Sequence, residues 1–176
     1  LDGDMGRTKE VLDHEQVINY LNHQITTYLV RINALALDDR ESRLVGSLYH
    51  VVNDLERIGD HAENIVEYTR NHVENGVSYS DAAIAEMRDV SERVDTVLHD
   101  ALYIFNRHSA LPGELDQLTD KEEEIDQLTD QLRDRHIQRL NEGLCSPESG
   151  MDFVDLLINL ERVSDHATNI AYSVAN

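Results

Sequence analysis

The sequence is short of cysteine, of long apolar runs and of basic residues, and each shortage excludes a class of protein. Of its 176 residues one is a cysteine, Cys145, so no internal disulfide can form and a reducing compartment is expected. No apolar run approaches the ~20 residues that a membrane-spanning helix needs, and the start shows no signal-peptide pattern. The sequence therefore predicts a soluble, cytoplasmic chain.

Basic side chains are outnumbered by acidic ones, 15 to 35, which gives a formal net charge of −20. Nucleic-acid backbones and anionic lipid surfaces both attract clustered Lys and Arg. We therefore expect no nucleic-acid partner and no direct lipid binding. The acidity itself has two interpretations, a solvated surface or the binding of cations, and composition does not separate them.

Helical periodicity is present almost throughout the chain. Apolar residues recur at alternating steps of three and four, as on a heptad seam, and no segment alternates with the period of two that a strand shows. Breaks fall at turn and capping residues such as Asp38-Asp39, Asn75-Gly76 and Ser146-Pro147. The pattern predicts an all-α antiparallel bundle with short loops. The five predicted helices cover roughly 8–37, 41–73, 80–108, 112–142 and 148–175.

An internal repeat is the strongest signal. Residues 54–65, DLERIGDHAENI, and residues 159–170, NLERVSDHATNI, are identical at eight of twelve positions. The preceding helices align as well, Leu21 with Leu128 and Glu15 with Glu122. This divides the chain into a first repeat, 1–75, and a second repeat, 76–176.

The two repeats differ in their number of helices. The second contains three predicted helices and the first only two, because the counterpart of the helix at 80–108 would lie before Leu1. We infer a native domain of six helices, of which this chain carries five. The first repeat should then have an open groove, filled by a partner chain or left as exposed apolar surface.

The repeated string carries paired carboxylates. Glu56 and Asp60, like Glu161 and Asp165, are four residues apart and so share one helical face. Like charges at this spacing repel, and a positive charge between them would offset the repulsion. Carboxylate oxygens are suitable ligands for Mg²⁺, Ca²⁺, Mn²⁺ and Fe. In the heptad frame the four acids fall away from the seam. We therefore expect them to face water.

A third pair, Glu122 and Asp126, has the same spacing on the preceding helix of the second repeat. Its counterpart in the first repeat is Glu15 with Asn19, which has one charge fewer. The sequence therefore predicts tighter metal binding in the second repeat.

Other interpretations of the repeated string stay open. Arg57 and Arg162 could satisfy the neighbouring carboxylates without a metal. His61 and His166 could be secondary ligands, but their position beside the seam favours a structural role in tying helices together. A carboxylate-bridged di-iron enzyme is disfavoured, because no histidine has a glutamate three residues before it. We therefore expect a non-enzymatic protein without catalytic residues.

Residues 51–65, VVNDLERIGDHAENI, and their second copy resemble the PhoU family. That resemblance implies two three-helix repeats, bound metal and negative regulation of phosphate uptake. The string looks closest to the PhoU-like domain at the cytoplasmic C-terminus of bacterial sodium/phosphate cotransporters, which would also explain a start at Leu1 rather than Met. The alternatives are a standalone PhoU-type phosphate regulator and a metal-free helical adaptor.

The resemblance also implies site residues and partners. The family's metal motif falls on Glu56, Asp60, Glu161 and Asp165, and Glu122 and Asp126 fit the neighbouring helix. The candidate ions are Fe, Zn, Mg and Mn. Implied partners are a membrane phosphate transporter, at the cytoplasmic face of the membrane, and further copies of the chain. The sequence departs from the pattern at Asn19, and at Asn159 against Asp54.

Overall fold

The computed structural model describes residues 5–76 and 79–175, and helices account for most of them. The helices are α1 (Met5–Asn33), α2 (Asp39–Asn75), α3 (Asp81–Arg107), α4 (Glu114–Asn141) and α5 (Pro147–Tyr172), followed by a 3₁₀ turn (Ser173–Ala175). The predicted all-α fold of five helices is confirmed, and the described ranges contain no strand. Within the same ranges no helix is long and apolar enough to cross a membrane.

Side-chain caps define the helix starts that the sequence predicts. Asp38 accepts hydrogen bonds from the backbone N–H groups of Arg40 and Glu41, both at 2.8 Å, and Glu41 accepts one from the N–H of Asp38 at 2.9 Å. This reciprocal capping box begins α2. Ser80 and Ser146 cap α3 and α5 in the same sense, each accepting from a backbone N–H three residues on, at 3.2 Å. Asp38 and Ser146 are two of the predicted capping residues.

The main core lies in the second repeat, where α3, α4 and α5 pack together. Its largest fully buried side chains come from all three helices: Met87, Val90, Val97, Ile104, Leu118, Ile125, Leu132, Phe153 and Leu157. α2 packs along α5, and α1 packs along α2. α5 is therefore the central helix, in contact with α2, α3 and α4, and α1 lies at one edge.

The repeated strings meet in the contact between α2 and α5, which run antiparallel. The Nδ1–H of His61 donates to Asn159 Oδ1 at 2.8 Å, and the Nδ1–H of His166 donates to Asp54 Oδ1 at 2.9 Å. The two imidazole rings stack with centroids 5.7 Å apart. Because the paired residues hold equivalent places in the two repeats, the contacts are reciprocal and follow a pseudo-twofold axis. The structural role predicted for both histidines is confirmed.

The first repeat exposes apolar side chains on α1, and the α4 counterpart of one of them, Ile25, is buried. Ile25 is 40 % exposed, whereas Leu132, its counterpart, is 1 % exposed. Tyr20, Leu21 and Tyr28 are also exposed. In the part of the chain that the structure describes, α1 packs against α2 alone, while α4 is covered by both α3 and α5. The expected open apolar surface is present, and the sixth helix remains a prediction.

Equivalent truncations in the two repeats should differ in cost. Leu132→Ala removes a fully buried side chain and should lower the free energy of unfolding by about 2–5 kcal/mol. Ile25→Ala removes a half-exposed one and should lower it by about 1 kcal/mol or less. Urea denaturation of the chain followed by circular dichroism measures both. Equal losses would mean that the α1 face is covered in solution.

Candidate metal centre

The six predicted acidic residues lie in two clusters, one in each repeat, in the grooves between paired helices. The second-repeat cluster consists of Glu122 and Asp126 on α4 and Glu161 and Asp165 on α5. The first-repeat cluster consists of Glu15 on α1 and of Glu56, Asp60 and Glu63 on α2. In each groove burial, followed by the charges of carboxylates on one helix, raises the pKa of a carboxyl group on the facing helix, so the two sets lie within electrostatic reach.

The repeated acids, which the heptad frame places toward water, are outside the core but partly covered. Their side chains are between 22 % and 34 % exposed: Glu56, Asp60, Glu161 and Asp165. The heptad frame describes only the seam between α2 and α5. Each of these helices also packs on a second neighbour, α1 or α4, and the acids line that second contact.

Three carboxylates of the second-repeat cluster converge. Glu122, Asp126 and Asp165 each offer an oxygen, and these oxygens lie within 4.8 Å of one another. Asp126 Oδ1 is buried and has no hydrogen-bond partner among the described residues. Burial and the neighbouring acids, Asp126 first, raise the pKa of Glu122 to about 7, and burial with Glu161 and Asp165 raises the pKa of Asp126. Crowded, poorly hydrated carboxylate oxygens with an orphaned acceptor fit a hard cation such as Mg²⁺ or Mn²⁺.

Glu161, the fourth member, is paired with protein groups instead. Its Oε2 accepts hydrogen bonds from the guanidinium of Arg133 and, at 3.2 Å, from the hydroxyl of Thr129. Arg162 contacts Asp165 at 3.1 Å from a more exposed position, as Arg57 contacts Asp60 at 3.3 Å. Arginines therefore do satisfy part of each cluster, as one interpretation of the sequence held.

The first-repeat cluster is arranged differently. Glu15 is buried, and burial, followed by the charges of Glu63 and Asp60, raises the pKa of its carboxyl group. The side-chain amide of Asn19 donates to Glu15. Within the described ranges, these carboxylates do not converge as those of the second repeat do. The second-repeat cluster is thus the better-formed candidate for a metal site.

Sequence reasoning missed two members of these clusters, Glu63 and Arg133. Glu63 stands where the second repeat has Thr168, so it restores the charge that Asn19 lacks. Each residue lies seven positions after a predicted acid, Glu63 after Glu56 and Arg133 after Asp126. Two helical turns return to the same face, so this spacing was the available signal.

Stability of the metal-free chain should depend on the Glu122 proton. Its pKa of about 7 exceeds the ordinary 4.5, so the stability it contributes is complete below pH 4.5 and lost as the pH rises through 7. Glu122→Gln should therefore stabilise the chain by about 1 kcal/mol at pH 8, after allowance for solvent screening, and have little effect near pH 4.5.

Urea denaturation in the presence of a chelator measures this difference. Asp134→Asn, at an exposed position further along the same helix, is the matched control and should behave like the unaltered chain. A Glu122→Gln chain whose stability relative to the unaltered protein is independent of pH would contradict the interpretation.

This geometry defines the class of protein: an all-α protein of two antiparallel repeats. In each repeat an acidic groove lies beside the helix that carries the repeated string, α2 or α5. The family model described as the PhoU domain matches residues 1–69 and 87–174. The chain therefore belongs to the PhoU family.

Individual PhoU proteins are also similar to this chain. The crystal structure of PhoU from Pseudomonas aeruginosa is similar with a TM-score of 0.89 and 27 % identity, covering 98 % of this chain and 81 % of that one. The phosphate-specific transport system accessory protein PhoU homolog 1 of Thermotoga maritima is 28 % identical over 171 residues, covering 94 % of this chain and 70 % of the relative. The corresponding homolog of Pseudomonas aeruginosa is 29 % identical over 180 residues, covering 97 % and 69 %.

Proposed function

We propose that the protein is a non-enzymatic regulator of phosphate transport that acts on a membrane transporter from the cytoplasmic side. The observation that carries this proposal is the family match over both repeats, together with relatives named as accessory proteins of a phosphate-specific transport system. A regulator of this kind needs surfaces that bind partners and ions, and the open α1 face and the acidic grooves are such surfaces.

A separate accessory protein is favoured over a domain attached to a sodium/phosphate cotransporter. The relatives described above carry the names of accessory proteins, and they align with 94–97 % of this chain. The attachment expected from the resemblance of residues 51–65 therefore ranks second. Self-association, which the sequence also predicts, would have the exposed apolar residues of α1 as its natural surface.

Removal of the protein should raise phosphate uptake when phosphate is plentiful, because a negative regulator is lost. The measurement is uptake of radiolabelled phosphate by cells of the native host, with and without the gene, at high and at low external phosphate. Restoring the gene should return uptake at high phosphate to its original rate. Unchanged uptake under both conditions would refute the regulatory role.

Metal binding is the second part of the proposal. The second-repeat cluster would hold a hard cation through Glu122, Asp126 and Asp165, and the buried, unpartnered Asp126 Oδ1 is the observation that supports it. An all-carboxylate set favours Mg²⁺, Mn²⁺ or Fe over Zn²⁺, which prefers nitrogen and sulfur ligands. The ion would neutralise the crowded charges and join α4 to α5. A metal-free adaptor remains the competing hypothesis.

Titration with Mn²⁺ in a calorimeter tests the site. The double variant Asp126→Asn/Asp165→Asn removes two ligand charges and should weaken binding at least about a hundredfold, since affinity follows ligand charge count. Asp116→Asn/Asp120→Asn is the matched control, because these exposed aspartates have the same spacing on α4. Identical isotherms for the two double variants would refute the proposed metal site.

A further inference from the structure

Arg133 covers one side of the second-repeat cluster. Its guanidinium hydrogen-bonds to Glu161 Oε2 and lies 3.2 Å from Asp130 Oδ1. The side chain is 30 % exposed, but its Nε is buried and has no partner in the described part of the chain, so the inner part of the side chain packs against the groove. An arginine remains protonated at any physiological pH, so this is a permanent positive charge.

The first repeat has no such charge at the equivalent place. Thr26 aligns with Arg133 at the same offset that aligns Glu15 with Glu122, and its hydroxyl donates to Asn22 at 3.0 Å. Asn22 in turn aligns with Thr129, which contacts Glu161 in the second repeat. The two grooves are therefore lined by equivalent positions of the two repeats, but only the second has an arginine at this one.

We propose that Arg133 is a resident counter-cation that withholds Glu161 from a metal ion and thereby lowers the affinity of the second-repeat cluster. This inference rests on the metal binding proposed above. The Oε2 atom of Glu161 that binds the guanidinium is not free to bind a metal ion. A fixed positive charge beside the site also repels an incoming cation, and this repulsion is strong where water is partly excluded.

Loss of the Arg133 charge should change the stability of the metal-free chain and the affinity for a metal ion in opposite directions. In the metal-free chain Arg133 offsets the repulsion among four carboxylates, so its loss should lower stability. In the presence of a metal ion the same loss frees Glu161 as a ligand and removes the repulsion, so affinity should rise. A merely structural arginine would affect stability and leave affinity unchanged.

Arg133→Thr, which introduces the residue of the first repeat, tests the inference by calorimetric titration with Mn²⁺ and by thermal unfolding with a chelator. We expect Mn²⁺ binding at least about tenfold tighter and a melting temperature about 2–6 °C lower without metal. Arg133→Lys retains the charge and should bind Mn²⁺ nearly as the unaltered protein does. Arg133→Gln serves as a second neutral variant if the threonine variant fails to fold.

Arg135→Thr is the matched control, because it removes the same charge from the same helix at an exposed position that faces Glu86. Tenfold tightening in this control too, or in Arg133→Lys, would overturn the specific role of Arg133. So would unchanged or weaker binding by Arg133→Thr and Arg133→Gln when the unaltered protein binds Mn²⁺. If neither the unaltered protein nor Arg133→Thr binds Mn²⁺, metal binding itself fails, and the inference with it.

Discussion

The antiparallel contact between α2 and α5 determines where the other helices and the acidic grooves lie. Hydrogen bonds from His61 to Asn159 and from His166 to Asp54 fix the register of the two helices, and the stacked imidazoles fill the centre. These polar groups are largely enclosed, so leaving them unpaired would cost more than their bonds contribute. The register is therefore specific.

Because of this contact, α2 and α5 each have their repeated carboxylates on the side next to the α2–α5 contact. That side meets α1 in the first repeat and α4 in the second, and both of these helices carry a further glutamate, Glu15 or Glu122, that faces the motif. Carboxylates from two helices are thus brought into a groove with little water. Burial and the facing acids raise the pKa values of Glu15, Glu122 and Asp126, which reflects the free-energy cost of that arrangement in the absence of a counter-ion.

The repeats keep this geometry while changing its charges. Asn19 and Glu63 of the first repeat align with Asp126 and Thr168 of the second. The acid that α4 carries in the second repeat is therefore carried by α2 in the first. Arg133 has no counterpart. Each groove retains four carboxylates, yet only the second brings three of them within 4.8 Å. A duplicated fold therefore carries two acidic grooves that differ in both convergence and net charge.

The sequence predicted the five helices because each carries an apolar stripe and ends at capping or turn residues. It predicted the two sets of acids because the string from Asp54 to Ile65 occurs twice. It could not predict that the acids line a groove, since a heptad describes one neighbour and α2 and α5 each have more than one. Glu63 and Arg133 each differ from the residue at the matching position of the other repeat, so the repeat does not mark them, and only the packing of helices shows which charges they meet.

The two repeats also differ in how firmly they hold the helix across the groove. α4 is fixed by α3 and α5 together, so an ion between α4 and α5 would join elements that are already fixed. Within the described ranges α1 is held by α2 alone, through a contact that includes buried Glu15. Repulsion between Glu15 and the acids of α2 therefore opposes the packing that positions α1. Any cation or proton that relieves this repulsion would strengthen the one helix contact that positions α1 in the described ranges, whereas in the second repeat the same relief would act on a helix that two neighbours already hold.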